Sequence, residues 1–352
     1  MEKTNNSEFT KDIKNIAIKL LGTSSEIKAS IERQLEYFVL AMVLLSQLYC
    51  FARGYWFSIL TYPLALWIFS VNVFHDGAHF AISRYWRLNS LASNVGFNLA
   101  TPYHWYHQHT IGHHSFPNVL GRDPDLYHVP DTLRHSTDVP LNTIHKYQHY
   151  IFLAAVSIGI QSTYLFGGGV LCLLGFNYNG VVSLSRTKYL HPYGIPLRLI
   201  LYIILMHMTP LICHGVTIKG FAFSFIPEII FAILFTICSQ VNHLTPDNTE
   251  RFNSNFFIHQ VQASHNINTS SLLTRVFTGG LNMQIEHHLF PSVNHCHLLK
   301  LVPYIRDICE KHGVGYSESP SLISALGKHI EHLYNMGPLS YRKSMIESTK
   351  ED

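Results

Sequence analysis

The sequence predicts an all-α integral membrane fold, with about four transmembrane helices, further interfacial helices and a cytoplasmic helical cap. Three observations carry that expectation. Charged residues make up 13% of the 352 and apolar residues 47%, whereas soluble domains carry about 25% charged residues. Several apolar runs approach the ~20 residues a helix needs to cross the hydrocarbon core. Clusters among the 24 histidines stand between those runs, which argues for one membrane unit rather than a string of soluble domains. The mean hydropathy of +0.12 agrees.

Residues 11–35 alternate apolar and charged positions. Ile13, Ile16, Ala17, Leu20 and Leu21 share a helical face, beside Lys11, Lys14 and Lys19. The pattern fits an interfacial amphipathic helix or, equally, a soluble lead into the first span. Residues 37–51 and 55–74 are apolar runs separated by Ala52, Arg53 and Gly54, and they read as a helical hairpin. Pro63 is tolerable inside a membrane helix. Both ends of the hairpin then share a side with Lys3, Lys11, Lys14, Lys19, Lys28 and Arg33, and the positive-inside rule makes that side cytoplasmic.

Residues 81–148 are more polar. Within them 91–100 is apolar but too short to cross, and it suits the interface, as do Trp86, Tyr103, Trp105 and Tyr106. Three apolar runs follow, at 150–174, 196–213 and 221–241. If all histidine clusters share one site, the chain crosses an even number of times between His114 and His287, so one of the three runs is interfacial or re-entrant. Arg186, Lys188 and Arg198 favour 150–174 as that run, as does the weakening of a helix by Gly167, Gly168 and Gly169. Its length favours the opposite. The polar tail from 302, helical at 302–312 and 322–334, reads as the cap.

The net charge of +3 is too small, and the basic residues too dispersed, for a nucleic-acid surface. The six cysteines form no C-x-x-C pair and read as packing residues without disulfides. The first 33 residues are charged and carry no apolar signal-peptide core.

The chemistry lies in the histidines. His75 and His79 in HDGAH are four apart, so on a helix they share a face. His109 and His113 in HTIGHH repeat that spacing, and His114 is turned about 100° from His113, which lets adjacent histidines point at two neighbouring metals. Gln284, His287 and His288 in QIEHH form a third cluster of the same kind. One H-x-x-x-H arises easily by chance in a chain rich in histidine. Three clusters on one expected face of a membrane bundle do not. Imidazole suits iron, zinc, copper and nickel. A single catalytic zinc takes about three protein ligands, and the clustered histidines suffice for two metals. Oxygen-dependent redox chemistry at a di-iron centre fits such ligands beside lipid.

The three clusters resemble the histidine boxes of the membrane fatty acid desaturase superfamily, with HDGAH as box one, HTIGHH as box two and QIEHH as box three. HHSFPNVLGRDPDL and FTGGLNMQIEHHLFP extend the likeness, which by motif covers about residues 71–291. Gln284 in place of the first histidine of box three resembles the front-end subgroup, which also contains sphingolipid desaturases. The resemblance implies two iron ions held by His75, His79, His109, His113, His114, Gln284, His287 and His288, with O2 as co-substrate. It implies one more histidine just past the last span, where His243 stands. His265 has no counterpart in the family and stays outside the set. His104 and His107 flank box two as structural or supporting residues. Asp76, Asp123, Asp125 and Glu286 are placed to orient imidazole N–H groups.

The resemblance further implies a domain at 34–318, between an amphipathic segment at 1–33 and a cytoplasmic tail at 319–352. The reaction would place a cis double bond in the acyl chain of an acyl-CoA or acyl-lipid. The short N-terminal stretch leaves no room for a fused haem domain, so electrons are expected from a separate donor, cytochrome b5 or ferredoxin. The membrane would be the endoplasmic reticulum in a eukaryote or the inner membrane in a bacterium, with the site on the cytoplasmic face. An acyl hydroxylase would keep the same metals. A metal transporter would place ligands near the bilayer midplane, where only His207 lies well inside a run.

Overall fold

The computed structural model describes residues 2–22, 26–95, 101–127, 129, 131–161 and 200–338. The described chain is mostly helical, with one two-stranded parallel sheet. Which run of 150–174, 196–213 and 221–241 fails to cross depends on residues outside that set, as does Cys172. The other five cysteines are free.

Three described helices are long and apolar enough to cross a membrane: α2 (Ile31–Ala52), α3 (Ser58–Ala78) and α8 (Ile218–Ser239). The helix before them, α1 (Glu2–Leu21), has a different role. Its stripe of Phe9, Ile13 and Leu21 is buried against Ile258, Ile285, Leu289, Val302 and Ile305, in one core with the cap. Of the two readings of this stretch, the stripe covers protein rather than lipid. Asp12 fastens it by accepting bonds from Lys311 Nζ (2.7 Å) and His312 Nε2 (2.9 Å).

Ser30 caps α2, its hydroxyl accepting from the Arg33 backbone N–H. Leu35, Phe38, Val39, Met42, Leu45 and Tyr49 all face outward from this helix. A face so apolar and so exposed is a lipid-facing surface. Gly54 turns the chain at φ +71°, and α3 returns. From Ser70 to Phe74 α3 is wound as a π-helix, and it closes as α-helix from His75 to Ala78. The Asn72 amide donates to the Ile68 and Val276 carbonyls (2.7 and 2.9 Å), satisfying backbone beside the irregular turn.

A short helix α4 (Trp86–Val95) crosses beneath, with Trp86, Leu88, Leu91 and Val95 exposed. Gly77 makes this possible, since a Cβ there would stand 2.8 Å from the Asn89 carbonyl oxygen. Helix α5 starts at Pro102–Trp105, capped by the Thr101 hydroxyl, and runs on as a π-helix through Tyr106–His113. Helix α6 (Gln148–Gln161) and the shorter apolar α7 (Ile200–His214) complete the bundle with α8. Inside it Glu228 of α8 accepts bonds from the Tyr202 hydroxyl and, at 2.9 Å, from His207 Nε2, both on α7.

The cap comprises α9 (Phe256–Gln262), β1 (Asn266–Ile267), α10 (Leu272–Thr278), α11 (Gln284–Leu289), α12 (Val302–His312), β2 (Glu318–Ser319) and α13 (Leu322–Asn335). The helical stretches expected at 302–312 and 322–334 are α12 and α13. Asn266 pairs with Glu318 and Ile267 with Ser319. The start of α2 and the ends of α3 and α8 all meet the cap, so three apolar helices deliver their termini to one polar layer.

Candidate metal centre

The site forms where those termini meet. His75 and His79 come from the end of α3, His109, His113 and His114 from the end of α5, His243 from the turn after α8, and Gln284, His287 and His288 from α11. All nine are buried.

Their ring nitrogens converge in two groups. His75, His79, His109 and His287 can each place one nitrogen within 4.8 Å of the others, and so can His113, His243 and His288. Within the first group His75 Nε2 lies 3.1 Å from His109 Nε2. His114 joins it, with Nε2 3.3 Å from His109 Nε2 and 3.2 Å from His287 Nε2. Within the second, His113 Nε2 and His243 Nε2 are 3.3 Å apart, and the Gln284 amide reaches His243 Nε2 at 2.7 Å.

Both helical boxes split between the groups, but by different geometry. In α11, Gln284 and His288 are four apart and share the second group, while His287 turns to the first. Box two was expected to pair His109 with His113 at α-helical spacing. The π-helix aligns residues five apart, so His109 also meets His114, while His113 stays stacked on His109 at 5.3 Å between centroids and forms a further group with it and Asp125. The His114 N–H donates to the His109 carbonyl, which is the backbone side of the same geometry.

Hydrogen bonds fix the tautomers of the second group. His113 Nδ1 faces both Asp123 oxygens at 3.1 Å. His243 Nδ1 donates to the Ala263 carbonyl (2.8 Å), and His288 Nδ1 to Gln260 Oε1 (2.8 Å). A neutral ring that donates through Nδ1 keeps a lone pair on Nε2. His288 Nε2 is buried without a partner, while His243 Nε2 faces the Gln284 amide nitrogen at 2.7 Å and His113 Nε2 at 3.3 Å. A bound cation would take these nitrogens together as ligands. Two imidazoles on one metal at ~2.1 Å stand roughly 3.0–3.4 Å apart, the range observed here. In the first group Nδ1 of His75, His114 and His287 is buried without a hydrogen-bond partner. The donor set fits transition metals, and imidazole alone does not choose among them.

Electrostatics agree. Burial holds His109, His114, His243, His287 and His288 below the usual imidazole range, which keeps their lone pairs free. Burial opposes charge on His113 too, but Asp123 and Asp125 outweigh it and lift the ring to about 9. At neutral pH that ring therefore carries both protons, and a metal cation would have to displace the one on Nε2, a step the same negative field would favour.

The supporting residues sort differently from expectation. Asp123 holds His113 as anticipated, and Asp125 Oδ2 lies 3.5 Å from the same ring nitrogen. Glu286 orients no box histidine. It accepts bonds from Asn266 and the Tyr316 hydroxyl, and burial pushes it up to about 7. Asp76 contacts His295, a buried histidine that no spacing singled out. His265 is held between the Ser317 and Ser319 hydroxyls at the small sheet, apart from both groups. His107 packs on Tyr103 and Tyr106. The residues that sequence reasoning missed are Gln260, Ala263 and His295. Two act through an amide or a backbone carbonyl, which leave no spacing signal.

A bundle of apolar helices crowned by two adjoining groups of buried imidazoles defines a class of membrane protein built to hold metal. Residues 33–320 match the family described as fatty acid desaturase, and the chain belongs to that family. It is 29% identical over 298 residues to Delta(5) fatty acid desaturase A of Dictyostelium discoideum, a match covering 80% of this chain and 63% of that protein. The sn-1 linoleoyl-lipid 6-desaturase of Synechocystis is 28% identical over 298 residues, 79% of each chain. The acyl-lipid (8-3)-desaturase of Physcomitrium patens is 29% identical over 291 residues, 77% of this chain and 58% of that protein. The chain thus spans less than two thirds of the length of the Dictyostelium and Physcomitrium relatives.

Proposed function

We propose that the protein is a membrane-bound acyl-chain desaturase with front-end-like selectivity, working at a di-iron centre with O2. The observation that carries this reading is the double convergence of eight buried histidines and Gln284, inside a fold of the desaturase family. His75, His79, His109, His114 and His287 would hold one iron, and His113, His243, His288 and Gln284 the other. The bound irons would supply O2 activation and removal of one hydrogen from each of two adjacent methylenes, with two electrons and two protons taken up and two waters released.

The chain's own residues contribute positioning. An unactivated C–H bond offers no handle for acid–base chemistry, so alignment carries the selectivity. Asp123, Gln260 and the Ala263 carbonyl hold three rings in the tautomer a metal needs. Burial of every ring excludes bulk water from the reacting groups. The relatives named for front-end positions support the Gln284 reading, and the acyl-lipid names among them favour a chain esterified in a lipid.

The same reading includes four membrane crossings with both groups on the cytoplasmic side, in the endoplasmic reticulum or a bacterial inner membrane. Electrons would arrive from a carrier of the cytochrome b5 or ferredoxin class. The chemistry belongs to residues 34–318, with 1–33 and 319–352 flanking it. Expression in a host fed defined fatty acids, with double bonds located by mass spectrometry of the lipids, tests the reading. A new cis double bond toward the carboxyl end of an existing one is expected. New hydroxy lipids would overturn it in favour of a hydroxylase.

A further inference from the structure

We propose that His295 is an additional ligand of the first metal, with Asp76 as its orienting carboxylate. The inference rests on the metal reading above and adds a residue outside all three boxes.

His295 is 2% exposed. Its Nδ1 contacts Asp76 Oδ1. The other oxygen of Asp76 is held by the Tyr37 hydroxyl (2.5 Å), Asn294 Nδ2 (3.2 Å) and Arg33 Nη2 (3.3 Å). The carboxylate therefore cannot swing away, and it offers Oδ1 to the ring. An imidazole that donates Nδ1–H to a carboxylate carries its lone pair on Nε2, which is how second-layer carboxylates prepare a metal-binding histidine. His295 Nε2 is buried and has no hydrogen-bond partner, and the Nδ1–Oδ1 contact is a close ion pair rather than a hydrogen bond of ordinary geometry.

Its surroundings supply no donor for that lone pair. The ring stands 5.0 Å from His287 and 5.4 Å from His75 between centroids, close to the 5.2 Å between His75 and His109. His75 and His287 turn Nε2 toward His109 and His114. A buried lone pair beside such rings needs a cation. His75, Asp76 and His295 can each place one ligand atom within 4.8 Å of the others, a grouping that shares His75 with the first metal group but not His79, His109 or His287. The backbone makes room for the arrangement at Gly280, φ +90°, where a Cβ would stand 2.4 Å from His295 Cβ and 2.8 Å from Cδ2.

The experiment compares the full chain, purified in detergent, with its His295→Gln and His295→Ala variants, each stripped and reloaded with Co(II). Metal per chain, affinity and the visible ligand-field bands are recorded. The unaltered protein should take up two metals. His295→Ala should bind one of them about 10–100-fold more weakly, with shifted bands, and added imidazole should restore the bands. His295→Gln keeps an amide beside Asp76 and carries the same expectation where the alanine variant does not fold. Unchanged affinity and bands in a folded variant would overturn the role of His295 alone. A protein without His295 replacement that takes up no metal would instead overturn the metal reading.

Discussion

The two imidazole groups share α5 and α11, with α3 feeding only the first and the turn after α8 only the second, and they are held in opposite ways. In the second group every ring has its Nδ1 engaged, by Asp123 on His113, the Ala263 carbonyl on His243 and Gln260 on His288. In the first, Nδ1 of His75, His114 and His287 has no partner, and a larger number of rings crowd together instead. One group is oriented by hydrogen bonds, the other by numbers and packing. Pre-orientation lowers the cost of ordering ligands around a metal. The difference teaches that the three-histidine group is pre-oriented by its hydrogen bonds, whereas three rings of the histidine-rich group lack any such partner on Nδ1.

Loss of a ligand should have the largest effect. His288→Ala should abolish iron-dependent desaturation and remove one metal per chain, read by lipid analysis and elemental analysis together. Full activity in that variant would take the cluster out of the site. Next comes the support. Asp123→Asn should weaken the second metal by about 10–100-fold, measured by competition with a chelator of known affinity. Equal weakening of both metals would break the contrast between the groups. A chelator should also strip the unaltered protein in two phases, with the histidine-rich group emptied first. A single phase would mean that the missing Nδ1 partners do not matter. The smallest effect is expected from Gln284→His, which should keep both metals and change rate or double-bond position. Loss of a metal there would show that the second group needs an amide.

The boxes were legible in the sequence because imidazole pairs at helical spacing carry their own geometry. His243 was legible only through the family resemblance, since it stands alone beyond α8. The partition of box two was not legible. It depends on the π-helix at Tyr106–His113, and nothing in YHQHTIGH announces one. The tautomer holders were hidden for a different reason, because any residue supplies a carbonyl such as that of Ala263. The amphipathic start was visible, but the surface it covers was not. Phe9 and Ile13 look the same whether they face lipid or the cap, and only the tertiary contacts with α12 decide. Glu286 misled by proximity: a carboxylate between Gln284 and His287 points to the far side of its helix, toward Tyr316.

Glu228 has a consequence for how the molecule is assembled. The rest of α8 is mainly apolar, with Lys219 near its start, Pro227 in its interior and Ser224 facing His207 Nδ1 at 3.1 Å. The bonds to Tyr202 and His207 fasten one level of α8 to one level of α7. Interhelical polar bonds in membranes contribute only about 0.6 kcal/mol on average, so stability is the lesser part of their role. About three helical turns separate Glu228 from the end of α8 at Ser239, and His243 follows in the next turn of chain, so fixing the level of one constrains where the other enters the cap. The contact thus fixes the register of α7 against α8 below the cap.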